Sequence, residues 1–148
     1  MTESFYQLII KRRTIRRFKP EKVPLELLKK SVNAGRLAPS AANLQPLEYI
    51  IVEDENLLPT IFSAVRFAGY LEWNPEPEEM PRAYIVIISK KDTADTKYDV
   101  GLASENIILT CLEEKVGSCC IRAFDEDKVR RSLSIPQKYI VHMVIALG

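Results

Sequence analysis

The apolar positions along the chain follow two periods, and each period predicts a different kind of element. Spacings of three and four residues predict helices over residues 3–12, 24–34, 59–65, 98–116 and in a segment capped by Asp125. Short β-branched runs predict strands over residues 47–52, 83–89, 118–121 and 139–147. Alternating strands and helices predict a layered sheet packed with helices, and both a parallel and a mixed sheet fit this order.

Capping and breaking residues set the expected ends of these helices. Thr2 is the expected cap of the first helix, and Pro24 and Pro59 stand near the starts of the second and third. Gly35 interrupts the second pattern. Gly117 stands where a left-handed residue would end the long fourth helix.

Composition places the chain among ordinary single domains and excludes several classes of protein. The 148 residues are 47% hydrophobic and 28% charged, with 21 Lys+Arg against 20 Asp+Glu. A chain of this size buries enough surface to fold without disulfides or a structural metal. The net charge of +1 supplies no overall field for a nucleic-acid or membrane partner. Because no repeat or linker interrupts the pattern, we expect one domain over residues 1–148.

The apolar runs and the cysteines predict a cytoplasmic protein. The longest apolar stretch, residues 139–147, is far shorter than the ~20 residues of a membrane helix. The first residues show no export signal. Cys119 and Cys120, two of three cysteines, are expected in the core rather than in disulfides. His142, the one histidine, is expected as a satisfied residue of an apolar strand, so no metal site is predicted.

Residues 12–17, here called the arginine segment, form the one concentrated positive patch. They comprise Arg12, Arg13, Arg16 and Arg17, with the hydroxyl of Thr14 among them. Guanidinium groups bind phosphate oxygens through paired hydrogen bonds, and a hydroxyl adds another. The pattern also fits a set of solvated cations that offset the C-terminal dipole of a helix, and the charge pattern alone favours this second interpretation.

Residues 38–46, here called the amide loop, combine small residues, two amides and two prolines between a helix and a strand. Small residues let a planar ring approach the backbone. The amides of Asn43 and Gln45 match a heteroaromatic edge that both donates and accepts hydrogen bonds. By itself the loop also fits an ordinary capped connection. The arginine segment and the amide loop are therefore informative mainly as a pair.

With the arginine segment and the amide loop at this separation, the sequence resembles the nitroreductase-like FMN flavoprotein family. The resemblance covers essentially the whole chain through four segments in order: Arg-Arg-Thr-Ile-Arg-Arg-Phe at 12–18, Ala-Pro-Ser-Ala-Ala-Asn-Leu-Gln-Pro at 38–46, the predicted helix at 98–109, and Gly-Ser-Cys-Cys-Ile-Arg-Ala-Phe at 117–124. It implies an α+β fold with a mostly antiparallel or mixed sheet flanked by helices. It also implies an intertwined homodimer with two FMN sites at the subunit interface.

The resemblance also assigns residues to the flavin. The phosphate and ribityl end would be held by Arg12, Arg13 and Thr14, with Arg16 near the pyrimidine. The partner subunit would supply a second set of contacts, namely Pro39, Ser40, Asn43 and Gln45. Flavin N5 would face the backbone of Ile121 and Arg122. No side chain of the chain would act as a catalytic group.

The implied activity is oxidoreduction. Hydride would pass from NADH or NADPH to flavin N5, and then to a nitroaromatic, a quinone or a similar acceptor by ping-pong kinetics. Arg16 is the expected cation beside the N1 and O2 edge, where negative charge develops. Residues 69–81, here called the lid segment, match the family's variable region, and their three prolines argue against regular structure. Tyr70 and Trp73 are therefore expected in a substrate lid, although a loop packed onto the body fits them as well.

Departures from the family keep other functions open. Arg122 stands where a glycine is usual and Cys120 where a bulky aromatic is frequent, so Arg122 either narrows the space above N5 or turns outward. Family members commonly continue past the position of Gly148 into a basic tail, so we expect weakened FMN retention. A non-catalytic flavin binder is therefore an alternative. Nucleic-acid binding through the arginine segment is a remote one, because no reader motif accompanies it.

Overall fold

The structure is a computed structural model that describes residues 4–148. Within that range the helices are α1 (Phe5–Lys11), α2 (Leu25–Arg36), α3 (Leu58–Ala64), α4 (Ala94–Glu113) and α5 (Glu126–Ser132). The strands are β1 (Leu47–Val52), β2 (Ala83–Ser89), β3 (Ser118–Ile121) and β4 (Ile140–Leu147). They form one sheet in the order β1-β2-β4-β3, and every neighbouring pair is antiparallel. No helix in residues 4–148 has the length and apolar character that crossing a membrane requires.

Strand β2 lies in the middle of the core and is buried at all of its positions. Successive side chains of a strand point to opposite faces, so β2 serves two apolar clusters. Tyr84, Val86 and Ile88 pack with α3 and α5, whereas Ile85 and Ile87 pack with α2 and α4. The α+β expectation is confirmed, and the sheet is purely antiparallel.

Helix α4 packs against α1, α2 and the sheet. It begins at Ala94, one turn before the predicted start at Tyr98. The oxygen Oγ1 of Thr93 caps it by accepting a hydrogen bond from the backbone N–H of Thr96 at 3.2 Å. The first turn is polar and so carries no apolar spacing, which is why the pattern placed the start too late.

The predicted role of Gly117 as a left-handed cap is wrong. Lys115 takes the positive backbone angle instead, with φ of 62°. Gly117 exchanges two backbone hydrogen bonds with Gly148, at 2.8 and 3.2 Å. A Cβ atom at Gly117 would lie 3.0 Å from the side chain of Ile15, so the residue is small because the arginine segment passes close to it.

The predicted interruption at Gly35 is wrong, because α2 continues through it to Arg36, and a Cβ there would lie 2.9 Å from the side chain of Ile107. Other helix ends also differ from expectation for local reasons. Helix α1 is capped by Ser4, whose Oγ accepts from the backbone of Gln7 at 3.3 Å, while the predicted cap and start at residues 2 and 3 lie outside the described residues. Helix α3 stops before Val65, which is extended and bridges another segment. Residues Pro77–Glu79 form a 3-10 turn, so the lid segment is not wholly irregular. Proline is tolerated at the first position of the turn, because a backbone N–H there would have no partner within the turn.

Candidate functional site

The arginine segment runs beside the start of β3. Thr14 forms a parallel bridge with Ser118, and the backbone N–H of Ile15 donates to the carbonyl oxygen of Ser118 at 2.9 Å. A side chain at position 117 would be too close to Ile15, so this pairing requires a glycine there. The first and last of the four segments, distant in sequence, therefore lie side by side.

Arg12 and Arg13 are held differently. The Nε of Arg12 lies 3.9 Å from a carboxylate oxygen of Glu105 on α4, and both side chains are partly exposed. The Nη1 of Arg13 donates to the carbonyl oxygens of Ile10 and Arg12 at 2.9 and 2.8 Å. Arg13 thus satisfies the end of α1, as the helix-dipole interpretation requires, whereas Arg12 keeps most of its donors for a ligand.

Arg16 connects the arginine segment to the lid segment. Its Nε donates to the carbonyl oxygen of Phe67 at 3.1 Å, and its Nη2 donates to the phenol oxygen of Tyr70 at 3.4 Å. Trp73 lies under the neighbouring Arg17, whose guanidinium carbon is 4.6 Å from the ring centroid. The predicted lid residues are therefore in direct contact with the predicted cofactor segment.

The amide loop has an unusual backbone. Ala42, Asn43 and Gln45 all have positive φ, at 50°, 53° and 50°. Residues other than glycine in this region cost about 1–3 kcal/mol each, and such conformations gather at functional sites. The Oγ of Ser40 accepts from the backbone N–H of Gln45 at 3.0 Å and so holds the turn closed.

Asp99 on α4 holds the amide loop from outside. Its Oδ1 accepts a hydrogen bond from the backbone N–H of Ala41 at 3.1 Å, and the residue is only 5% exposed. The sequence reasoning missed this residue. The one sequence signal for Asp99 is its position. It is an acidic residue beside Val100, on a face of α4 that is otherwise buried, where a solvent-exposed charge is not expected.

The amide loop opens onto a cleft of about 240 Å³. Its lining includes Pro39, Ser40, Gln45, Tyr49 and Asp99, and no residue of the arginine segment. Burial raises the pKa of Tyr49 to about 12, so its hydroxyl stays protonated and is able to donate a hydrogen bond. Asn43 is exposed and lies outside this lining. Within one chain, the first two predicted segments do not meet in this cleft.

Ile121 and Arg122 stand where β3 ends. Ile121 is 2% exposed and belongs to the core, so its side chain is not available to a ligand. Arg122 is exposed and lines a cavity of about 560 Å³, together with Phe124, Glu126 and His142. Arg122 therefore borders that cavity.

The cysteines and the histidine have mainly structural surroundings. Cys119 is buried, and burial raises the pKa of its thiol. Cys120 is exposed, so the expectation of burial is wrong for it, because adjacent strand residues point to opposite faces. The Nε2 of His142 lies 2.7 Å from the Oγ of Ser89, which itself donates to the carbonyl oxygen of Lys91. His142 is therefore a hydrogen-bonded residue of β4.

An antiparallel sheet between helices, with an arginine segment laid along its edge strand, defines an α+β protein with a candidate anion site. The sequence profile described as "Nitroreductase family" matches residues 9–148. The chain belongs to the nitroreductase family.

Relatives extend this comparison over nearly the whole chain. A protein of Archaeoglobus fulgidus, named as a candidate NADH dehydrogenase/NAD(P)H nitroreductase, is 29% identical over 99% of this chain and 85% of its own length. An iodotyrosine deiodinase of Thermotoga neapolitana is 31% identical over 97% of this chain and 87% of its own length. The solved FMN-dependent nitroreductase of Clostridium difficile is 30% identical, with a TM-score of 0.79 over 95% of this chain and 84% of that protein. The family is thus one of oxidoreductases that includes FMN-dependent members.

Proposed function

We propose that the protein is an FMN-dependent oxidoreductase that passes electrons from NADH or NADPH to a nitroaromatic, a quinone or a similar acceptor. The observation that carries this proposal is the bridge between Thr14 and Ser118, because it brings the phosphate-type donors beside the start of β3. The FMN-dependent relative supports the cofactor. The name of the Archaeoglobus relative supports the electron donor.

The donors of the arginine segment fit the terminal phosphate of FMN. Arg12 has one loose ion pair at 3.9 Å, and Thr14, two residues further along the chain, is exposed. Arg13 uses Nη1 on carbonyl oxygens, which leaves its other nitrogens available. Guanidinium and hydroxyl donors make short, charge-assisted hydrogen bonds to phosphate oxygens. These residues would hold the phosphate and ribityl end.

The other parts of the site orient the ring. FMN, when bound, supplies the two-electron chemistry, with hydride exchanged at N5. Arg16 is fixed by Phe67 and Tyr70, and it would place a positive charge at the pyrimidine edge, where negative charge is stabilised. The backbone of Ile121 and Arg122 would set the height of the ring.

A homodimer would complete each site. The cleft beneath the amide loop has no arginine-segment residue in its lining, so Pro39, Ser40, Asn43 and Gln45 would act from the partner subunit. Several large apolar side chains of α1, of α4 and in or beside the amide loop are exposed, and such a partner would cover them: Phe5, Tyr6, Ile9, Ile10, Leu37, Leu44, Tyr98 and Leu102. Light scattering of the purified protein should give the dimer mass; a monomer that retains FMN would contradict this arrangement.

An anaerobic titration tests the activity. The purified protein, supplied with FMN, should show a bound-flavin spectrum that bleaches on addition of NADH or NADPH and returns on addition of menadione or nitrofurazone. Bound flavin that neither donor bleaches would favour the non-catalytic binder. Absence of any flavin binding at saturating FMN would contradict both.

A second acceptor class has its own support. The Thermotoga relative, a deiodinase by name, resembles this chain about as closely as the NAD(P)H nitroreductase relative does, at 31% against 29% identity and 97% against 99% of the chain. Two electrons and one proton would replace an aryl iodine by hydrogen and release iodide. Measuring iodide release from iodotyrosine beside reduction of nitrofurazone, with the same electron donor, decides which acceptor class is used.

A further inference from the structure

Arg17 has contacts that the proposed cofactor site does not use. Its guanidinium stacks on Trp73, with 4.6 Å between the guanidinium carbon and the ring centroid. Its Nε lies 3.5 Å from a carboxylate oxygen of Glu79. A cation over an indole face is attracted by the electrons of the ring, and the nearby carboxylate keeps the cation there. One side chain of the arginine segment therefore holds two points of the lid segment.

Its neighbours hold the two ends of the same stretch. Arg16 binds Phe67 and Tyr70, just before and at the start of the lid segment. The backbone N–H of Phe18 donates to the carbonyl oxygen of Glu79 at 3.0 Å, near its end. Three consecutive residues thus contact the start, the middle and the end of the lid in sequence order.

The middle of the lid segment has one buried residue, Pro75, and few polar restraints. Among the described residues, none from 72 to 75 takes part in a hydrogen bond within the chain. Stretches with few hydrogen bonds open at low free-energy cost. The contact between Arg17 and Trp73 is therefore the polar interaction of this stretch, and it acts beside the burial of Pro75.

We infer that Arg17 is a positioning residue, which fixes Trp73 beside the flavin site and so presents a preset aromatic face to the acceptor. The part that concerns the acceptor rests on the proposed function; the part that concerns Trp73 does not. Trp73 is 39% exposed, so part of its ring is free to meet a planar acceptor while Arg17 holds it. Arg17 would act through Trp73 and would touch neither acceptor nor flavin.

The first test uses the protein without FMN. Trp73 is the single tryptophan of the sequence, so its fluorescence reports this contact alone. Arg17→Gln should raise quenching of Trp73 by neutral acrylamide up to about twofold, because the residue starts from 39% exposure and loses an exposed cation–π contact. Arg17→Lys keeps the charge and should recover part of the protection. Arg131→Gln, which removes an exposed arginine of α5, should change nothing.

The second test uses the FMN-loaded protein. Arg17→Gln should raise KM for an aromatic acceptor about two- to fivefold, with kcat, the FMN Kd and the KM for ferricyanide unchanged. Unchanged acrylamide quenching would overturn the positioning role. Changed quenching with unchanged KM would overturn the part that concerns the acceptor.

A further variant keeps the two proposals separable. Glu79→Gln removes the other partner of Arg17 and should shift quenching in the same direction by a smaller factor, even where Arg17→Gln folds poorly. Wild-type protein that binds no FMN would overturn the proposed function and the acceptor role together. In that case the quenching series would still decide whether Arg17 positions Trp73.

Discussion

The arginine segment and the amide loop are held in place by different kinds of contact. The arginine segment pairs with β3 through Ile15 and Ser118, and its charged groups extend from a relaxed backbone. The amide loop carries strain in its backbone, and Asp99 and Ser40 keep it in that shape. The first region would recognise a ligand by charge and the second by shape. A change of charge should therefore act on binding alone, and a change of shape on binding and folding together.

The largest effect is expected from Arg12→Ala. A charge-assisted hydrogen bond contributes about 1.5–3 kcal/mol, so the Kd for FMN should rise about 10- to 100-fold. The melting temperature of the FMN-free protein should hardly change, because the ion pair with Glu105 is loose and exposed. Flavin fluorescence titration and calorimetry check the two quantities. Arg131→Ala is the matched control, and equal loss of apoprotein stability would assign Arg12 a structural role.

Asp99→Ala should lower both the stability of the FMN-free protein and its affinity for FMN. The substitution leaves the backbone N–H of Ala41 without its partner, at a cost of about 1–3 kcal/mol in the free energy of unfolding. The freed amide loop should also weaken FMN binding about tenfold. Asp99→Asn keeps an oxygen acceptor and should do less. If Asp99→Ala left FMN affinity unchanged, the amide loop would not contribute to the flavin site.

Ala42→Gly should stabilise the FMN-free protein slightly. The left-handed backbone at position 42 costs an alanine ~1–2 kcal/mol, and glycine avoids this cost. Glycine also loses more conformational entropy on folding, which opposes the gain by about 0.5–1 kcal/mol. A net gain of about 0.5–1 kcal/mol is expected from denaturant unfolding. Ala41→Gly, at a neighbouring position outside the left-handed region, should destabilise instead. The same sign for both variants would argue against strain in the amide loop.

The smallest effect is expected from His142, which lies outside both regions. Burial lowers the pKa of His142, and the nearby Asp92 partly opposes this shift. The folded state therefore favours the neutral ring. The stability that His142 contributes in this way is fully present above the unfolded pKa of about 6.5, and it is lost as the pH falls through the folded-state pKa. The melting temperature should fall less below neutral pH in His142→Gln than in the wild type, with unchanged FMN affinity at pH 8. Identical pH profiles would contradict this assignment.

Much of the fold could be predicted from local pattern. Strands β1, β2 and β3 have the predicted bounds, because each is a short β-branched run between residues that favour turns. The start of α4 was missed because Thr93 and the polar turn after it lack apolar spacing. The role of Gly117 was predicted wrongly, because the residue must be small to leave space for Ile15, which is far from it in sequence.

The site was predictable only where its signal is local. The arginine segment is visible as a charge cluster, and its family resemblance assigned roles that are still predictions. Asp99 acts on Ala41 across 58 positions of sequence, and no periodicity reports such a contact. The stack of Arg17 on Trp73 likewise depends on how the lid segment folds back. Pairings of this kind come from tertiary structure and not from spacing.

Mixed dimers test most directly whether one protomer supplies the arginine segment and its partner the amide loop. One parent carries Arg12→Ala, the other carries Asn43→Ala with Gln45→Ala, and the two are refolded together in equal amounts under separate tags. Each mixed dimer would keep one intact site, so tight FMN binding should return to about a quarter of the wild-type capacity, although each parent alone binds weakly. Mixed dimers that form and still bind no FMN tightly would show that both regions serve the same chain, and would contradict the account.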